Sequence, residues 1–366
     1  MGKRLGNWAL AWGAFFGLLP ELIEGLASTV LSTAWALVCE RGLAHSLVVM
    51  ALASWGIGRG LARLWKQEKI TASEAGIFVF SVWMGHVLLD CFSTAGAALL
   101  WPVVSKRVAF DLLPQMDLLF TAPLVVAAVR LGFFRELKIV KKRSKKSPPL
   151  PPSPRRKWCY WGLGLSLGYL LLAVGMKSIA AASFATDLAR RGTKFQRRME
   201  SPTPFNILLW RCVVDRGDEF WVSYRSVFEN NQSPIRWTVY LKNAELLDQV
   251  ATLAETKTLT SLTDGWWLAR PHAKGAWLGD LRFPESRVWG SKKGTVDSRL
   301  AYSWVIDPTL KSDHLRPDSS DVANVADYYQ RLAARITGNH QSWEANPRLA
   351  GVTGSLPEFL PVEESR

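Results

Sequence analysis

His86 and Asp90 are the residues whose types and spacing point most directly to chemistry in this 366-residue chain. They sit four apart in the stretch GHVLLDCFSTAGAALLWP, residues 85–102. On an α-helix that spacing puts both side chains on one face, about one turn apart. An imidazole beside a carboxylate can bind a divalent metal or move a proton. The stretch is also apolar enough to cross a membrane, where an ionisable group costs roughly 2.5 kcal/mol or more at the centre of an isolated helix. A functional role is the default inference for such a pair. The competing one is a mutually hydrogen-bonded polar pair that ties helices together.

The elements that must position this pair are apolar blocks. The first runs from Asn7 to Cys39. As one helix it would be roughly 50 Å long, against a hydrocarbon core of about 30 Å. Pro20, followed by Glu21 and Glu24, interrupts it. A spanning helix broken or ended near Pro20, then a second, shorter or re-entrant piece, is expected. The block is too long and too acidic in its middle for a cleaved signal peptide. Further spans are expected at roughly 46–65, 75–100, 117–134 and 158–177. The last carries Gly164 and Gly168, a GxxxG pair that would allow close helix packing. Residues 135–157 form a basic, proline-rich linker of extended, polyproline-like character.

The net charge of +14 sits largely in short runs beside the apolar blocks. That pattern belongs to membrane topology rather than to nucleic-acid binding. With five crossings, Lys3 and Arg4, the Arg59–Lys69 group and the 135–157 run share one side, leaving Arg41, Lys106 and Arg107 on the other. The positive-inside rule then puts the N-terminus in the cytoplasm and everything after about residue 178 outside. Cys39, Cys91, Cys159 and Cys212 form no CxxC pair, so neither a zinc ribbon nor a disulfide framework follows.

Residues 178–366 are mixed in character. ASFATDLARRGTKFQRRME, AELLDQVATLAE and DVANVADYYQRLAARI read as helices; NILLWRCVVD, EFWVSYRSVF and AYSWVID read as strands. Trp266-Trp267 and the DLR segment read as a buried aromatic core or a binding face. The expected architecture is a multi-pass α-helical membrane domain followed by a soluble α+β domain. Residues 1–134 supply four membrane segments, 135–157 the linker, 158–177 the fifth helix and 178–366 the extracytoplasmic domain.

This topology places ERGLAHS, Glu40 to Ser46, at the outer end of the second span and Asp117 at the outer start of the fourth. His45, His86, Asp90, Asp117 and one or both of Glu21 and Glu24 could then converge in a cavity opening outward. Two histidines with carboxylates suit zinc or another divalent transition metal. A metal with an open position would turn its bound water into a nucleophile. The same groups could also merely satisfy one another, with Glu40 and Asp117 solvated. Ser46 beside His45 is not a nucleophile–base dyad, because adjacent helical residues point about 100° apart.

The order Pro20-Glu21, ERGLAHS, HVLLD followed by CFSTAG, and then MDLLF resembles the membrane-bound metal-dependent hydrolases of the YdjM-like inner-membrane family. Their pattern runs approximately PDxD, HRGxTHS, HxxxD with a small-residue tail, and a final Asp. SPTPFNILLWRCVV and GDLRFP resemble segments of the C-terminal domain of longer members. By position, Arg41, His45, Ser46, His86, Asp90 and Asp117 match. Glu21 replaces the first Asp of PDxD, Ile23 the second, and Glu24 is displaced by one. Glu40 stands for the first His of HRGxTHS, Ala44 for its Thr, and Leu118 for the Pro usual after the final Asp.

The resemblance implies a metal-dependent hydrolase embedded in the cytoplasmic membrane. His45, His86 and Asp90 would bind the metal, Glu21 would be a ligand or general base, and Asp117 a ligand or an orienting group. A site at outer-leaflet depth suggests a lipid or lipid-linked ester or phosphoester and no nucleic acid. The alternative is a non-catalytic membrane scaffold that has lost part of the metal site and presents the C-terminal domain for binding. A transporter is less supported, with few spans and no detectable inverted repeat.

Overall fold

The N-terminal half folds as helices. The first apolar block gives α1 (Gly2–Leu5), α2 (Trp8–Gly17), α3 (Leu19–Val30) and α4 (Thr33–Cys39). These coordinates are a computed structural model, which describes residues 2–39, 42–133, 154–230, 233–289, 296–318, 325–340, 343, 347–348 and 358–359. The break expected near Pro20 is a 42° bend between α2 and α3. Pro20 lies in the first turn of α3, where its missing N–H would be unpaired anyway.

Next come α5 (Leu47–Leu64), α6 (Ala72–Phe92), α7 (Leu118–Phe133) and α8 (Pro154–Arg190). Helices α5, α6 and α8 are long and apolar enough to cross a membrane, and the bent α2–α3 pair makes up to four such spans. Helix α7 is apolar but shorter, about 24 Å at 1.5 Å per residue. Leu22, Leu26, Leu52, Ile77, Leu88, Leu119, Leu163 and Leu167 are all exposed on the helices. An apolar surface spread over so many helices suits lipid, not water.

Local chemistry sets the ends of α6. Thr71 and Glu74 form a capping box: the Glu74 N–H donates to Thr71 Oγ1 (3.2 Å) and the Thr71 N–H to Glu74 Oε2 (3.0 Å). The expected third span to residue 100 is too long, for α6 stops at Phe92. Residues 93–117 fold back as a returning loop, with bridges Ser93–Leu113 and Ala97–Val108. The Phe110 N–H donates to Cys91 O (2.7 Å) and the Leu112 and Leu113 N–H groups to Phe92 O (2.8 and 2.9 Å). The loop thus satisfies helix-end carbonyls that would otherwise lack partners. Gly96 has φ +64°, and a Cβ there would meet Val108 O at 2.8 Å, so this turn requires glycine.

Close helix contacts use other glycines than expected. Gly58 of α5 lies against Gly76 and Ala72 of α6, where a Cβ would come within 2.7 Å of backbone. On α8, Gly162 meets Ala127 Cβ and Pro123 O of α7, whereas Gly164 and Gly168 face open space. The α7-facing stripe of α8 continues through Ser166, which donates to Phe120 O (2.8 Å), and Tyr169, which donates to Asp117 (2.7 Å). That is a helical face at three- and four-residue steps, on which 164 and 168 do not lie.

Contacts sort the bundle into two ends. Arg4 Nη1 donates to Lys69 O and Glu74 Oε2 (both 3.0 Å), Asn7 Nδ2 to Gly132 O (3.0 Å), and Arg155 Nη1 to Asn7 Oδ1 (2.7 Å). The N-terminus, the α5–α6 turn, the end of α7 and the start of α8 therefore share one end. At the opposite end lie α4, the returning loop and the C-terminal domain. Residues 134–153, most of the expected linker, lie outside the described residues.

Helix α8 continues to Arg190, past the expected end at 177, and packs Ala180, Phe184 and Leu188 against the first sheet. The sheets use β1 (Arg197–Pro202), β2 (Leu209–Asp215), β3 (Glu219–Ser226), β4 (Thr238–Leu241), β5 (Trp267–His272), β6 (Gly275–Asp280), β7 (Glu285–Trp289), β8 (Val296–Leu300), β9 (Ser303–Ile306), β10 (Leu315–Pro317), β11 (Pro347–Arg348) and β12 (Glu358–Phe359). One antiparallel sheet has the order β1-β2-β3-β4-β12 and a second β10-β9-β6-β5; β11-β8-β7 is a smaller third. Helices α9 (Ala254–Leu262) and α10 (Val325–Ile336) complete the α+β domain. AELLDQVATLAE, read as one helix, is a 3-10 turn (Ala244–Val250) followed by α9. The expected helix through QRRME is strand β1 instead, because Gly192 (φ +61°) lies just past the end of α8 and pairing with β2 outweighs local propensity. Every residue of β2 is buried: Trp210, Cys212 and Val214 meet α8, while Leu209 and Val213 share a core with Trp266, Trp277 and Leu332. Trp266 is thus core.

Candidate metal centre

His45 sits in a 3-10 turn, Leu43–His45, immediately before Ser46, the N-cap of α5. Ser46 Oγ accepts from the Val49 N–H (3.4 Å) and donates to Trp101 O. Its hydroxyl is committed to holding the turn, consistent with its exclusion as a nucleophile. Trp83 Nε1 on α6 donates to Ala44 O (2.8 Å), and the Leu47 N–H to Leu99 O (2.9 Å). These bonds fix a histidine that is 1% exposed.

Three elements deliver the polar cluster. His86 and Asp90 come from the last two turns of α6, His45 from the turn, and Glu21 and Glu24 from α3. His45 Nε2 lies 2.7 Å from Asp90 Oδ2, and His86 Nε2 lies 3.2 Å from the same oxygen. His86 Nε2 is also 2.9 Å from Glu21 Oε1. On the other side of the His45 ring, Nδ1 lies 3.2 Å from Glu24 Oε1. One ligand atom from each of His45, His86 and Asp90 lies within 4.8 Å of the others.

The donor set fits a divalent cation. Nε2 of His86 faces two carboxylates, which as ions only accept, so the nitrogen must carry a proton or share a cation with them. Neither His86 Nε2 nor His45 Nδ1 makes a well-directed hydrogen bond, although both are buried. Two imidazoles with carboxylates suit zinc. Ligand atoms around a tetrahedral zinc with bonds of about 2.0–2.1 Å are about 3.3 Å apart. The observed 2.7 and 3.2 Å edges would open by about 0.6 and 0.1 Å to reach that spacing, while the edge between the two imidazoles is within 4.8 Å. Glu24 on the far nitrogen of His45 has the position of an orienting carboxylate behind a ligand histidine.

The sequence expectation gathered His45, His86, Asp90, Asp117 and one or both of Glu21 and Glu24; the contacts unite His45, His86, Asp90 and both glutamates. Asp117 is engaged elsewhere. Its Oδ1 accepts from the Leu119 and Phe120 N–H groups (2.9 and 3.1 Å), capping α7, and its Oδ2 accepts from Tyr169 (2.7 Å). Glu40 and Arg41 lie outside the described residues. Glu24 is off the PDxD register but three residues from Glu21, so helical periodicity puts both on one face; that signal was in the sequence.

A cluster of ionisable groups held inside an apolar helical bundle defines the class: a membrane protein with a possible internal metal site. Residues 1–180 match the family profile described as YdjM inner membrane protein. No curated protein and no solved structure matches the chain.

Proposed function

We propose that this chain is a metal-dependent hydrolase embedded in the cytoplasmic membrane, acting at its outer face on a lipid or lipid-linked ester or phosphoester. The observation that carries the reading is the convergence of His45, His86 and Asp90 from separate elements, with ligand atoms within 4.8 Å. Arg4, Arg155 and Arg156 lie at the bundle end away from the C-terminal domain, which supports a cytoplasmic N-terminus and an outer domain.

In this reading His45, His86 and Asp90 hold a divalent ion, zinc by donor chemistry. When bound, such an ion acidifies its water to near neutrality and polarises a carbonyl or phosphoryl oxygen. Glu21 is the more accessible carboxylate, its side chain 47% exposed against 16% for Asp90 and 19% for Glu24. It can accept a proton at Oε1 as general base. Glu24 orients His45, and Asp117 acts indirectly by fixing α7 against Tyr169. The test is hydrolysis of short-chain phosphoester and carboxylester lipids by the purified chain. Turnover should vanish on chelation and in His86→Ala, and return on adding zinc to the wild type only. Turnover indifferent to both would sink the proposal.

A second reading has one observation in its favour: every carboxylate of the cluster reaches an imidazole nitrogen. If protons rather than a metal occupy those nitrogens, the cluster is a self-satisfied ion-pair network and the bundle a scaffold for the C-terminal domain. That version keeps its fold after exhaustive chelation.

A further inference from the structure

Helices α5 and α6 touch through small residues, and along that seam, on the surface the bundle turns to lipid, runs a groove of about 610 Å³. Its floor is set by Gly76, where a Cβ would meet Ser54 O at 3.1 Å. With no side chain there, the neighbours stand up as walls: Trp55 of α5 on one side, Ile77 and Phe80 of α6 on the other. Trp55 and Ile77 are exposed. Arg59 and Ser73 line the end nearest the α5–α6 turn. Ala51, which lines the other end, is eight residues from Arg59, about 12 Å along α5.

Arg59 brings the one charge that lines this groove among the described residues. It stacks on Trp55, its guanidinium carbon 3.4 Å from the ring centroid, and its Nη1 donates to Trp55 O at 3.4 Å. Stacking holds the guanidinium plane and leaves its edge N–H groups for an oxyanion. No ion pair engages Arg59 among the described residues. Arg63, Lys66 and Lys69 follow it in the chain, with Glu68 the one carboxylate among them. Ser54, buried on the floor, leaves its Oγ without a hydrogen-bond partner among the described residues. It lies five residues from Arg59, about 7.5 Å along α5. That is comparable to the span from phosphate to ester carbonyl in a glycerophospholipid.

We propose that this groove holds one anionic glycerophospholipid of the leaflet at the basic end of the bundle, its phosphate on Arg59 and one acyl chain along Ala51, Ile77 and Phe80. A cation at one end of an apolar groove complements a molecule with an anionic head and an apolar tail. The basic run through Lys69 favours an anionic lipid over a zwitterionic one, because juxtamembrane cations draw anionic lipids to their surface. A second copy of this chain fits less well. Two copies in the same membrane orientation, paired about a two-fold axis through this face, would set Arg59 against Arg59 at the same depth. The groove is also remote from the metal centre: Ser73 is thirteen residues from His86, about 20 Å along α6. The bound lipid is therefore a resident of the bundle and not the substrate, and the proposal does not rest on the hydrolase reading.

The test is native mass spectrometry of the delipidated full chain in neutral detergent, titrated with dioleoylphosphatidylglycerol, dioleoylphosphatidylcholine and dioleoylglycerol. The wild type should retain one phosphatidylglycerol, with the other two at least tenfold weaker. Arg59→Gln, and Ala51→Phe, which fills the apolar end, should each weaken phosphatidylglycerol at least tenfold. Arg63→Gln, one turn further on but outside the groove, should stay within about threefold of wild type. All three positions are exposed, so the fold should persist, and gel filtration in the same detergent checks it. Phosphatidylcholine or dioleoylglycerol held as tightly as phosphatidylglycerol, or wild-type binding by either Arg59→Gln or Ala51→Phe, overturns the proposal. An equal loss in Arg63→Gln also overturns it, by assigning the binding to diffuse surface charge. A delipidated dimer that retains no phosphatidylglycerol and becomes monomeric in Ala51→Phe would give the groove to a second copy instead.

Discussion

Replacing Glu24 by Gln isolates the electrostatic part of the metal centre. Glu24 Oε1 lies 3.2 Å from His45 Nδ1, while Nε2 of the same ring points to Asp90 Oδ2 at 2.7 Å. A carboxylate behind a ligand histidine fixes the ring and raises the basicity of the coordinating nitrogen. Gln keeps the size and an accepting oxygen, so the turn and the fold should persist, but the charge is gone. Loss of such a partner costs tenfold to hundredfold in metal affinity, about 1.4 to 2.8 kcal/mol. Glu24→Asp withdraws the carboxylate by one methylene and should fall between Gln and wild type. The assay is competition for zinc against a chelator of known affinity, on detergent-purified protein. Affinity in Glu24→Gln equal to wild type would show that the Glu24–His45 contact takes no part in holding a metal, and the reasoning above would fail.

Other substitutions separate fold from site. Asp117→Ala removes the α7 cap, worth about 1 kcal/mol, and strands the Tyr169 hydroxyl at about 1–3 kcal/mol; the melting temperature should fall while zinc content stays at the wild-type level. Gly162→Val drives a side chain into Ala127 and Pro123 and should cost about 1–3 kcal/mol by overpacking, whereas Gly164→Val, on open surface, should leave thermal stability unchanged. In the C-terminal domain, burial alone would raise the Glu229 carboxyl, but the His340 ring (2.8 Å) and the Arg335 guanidinium (2.7 Å) hold it down, to about 2. A depressed carboxylate contributes stability above its unfolded value and loses it as pH falls toward the folded one. The stability gap between wild type and Glu229→Gln, at most about 3 kcal/mol at pH 7, should therefore close between pH 4.5 and about 2 in a series of thermal melts.

The parts of this protein legible in the sequence were those set by local pattern. His86 and Asp90 share a helical face because four residues make about one turn. Strands β2, β3 and β9 follow from their apolar, β-branched and aromatic runs. The break at Pro20 was also legible, since proline tolerates only the first turn of a helix. What escaped depended on partners far along the chain. Hydropathy runs on through Leu100, but α6 stops at Phe92 because the returning loop supplies donors to its last carbonyls. Gly164 and Gly168 have the spacing of a packing motif, yet only Gly162 lies on the face that α7 covers. Whether one or both glutamates join the site was left open by the PDxD register, which falls on Ile23; on the helix that forms, Ile23 packs into the apolar core and Glu24 turns to His45. The Asp117 carboxylate has the position of a family site residue, and its capping role emerges only once α7 and Tyr169 are placed.

Elemental analysis of the full chain, purified in detergent without added metal or chelator, tests the central claim most directly. The account predicts close to one equivalent of a divalent transition metal, zinc foremost, retained through gel filtration and lost in both His86→Ala and Asp90→Ala while those variants remain folded. A folded wild-type protein free of metal, which takes up none from micromolar zinc and matches His86→Ala in that respect, would contradict it.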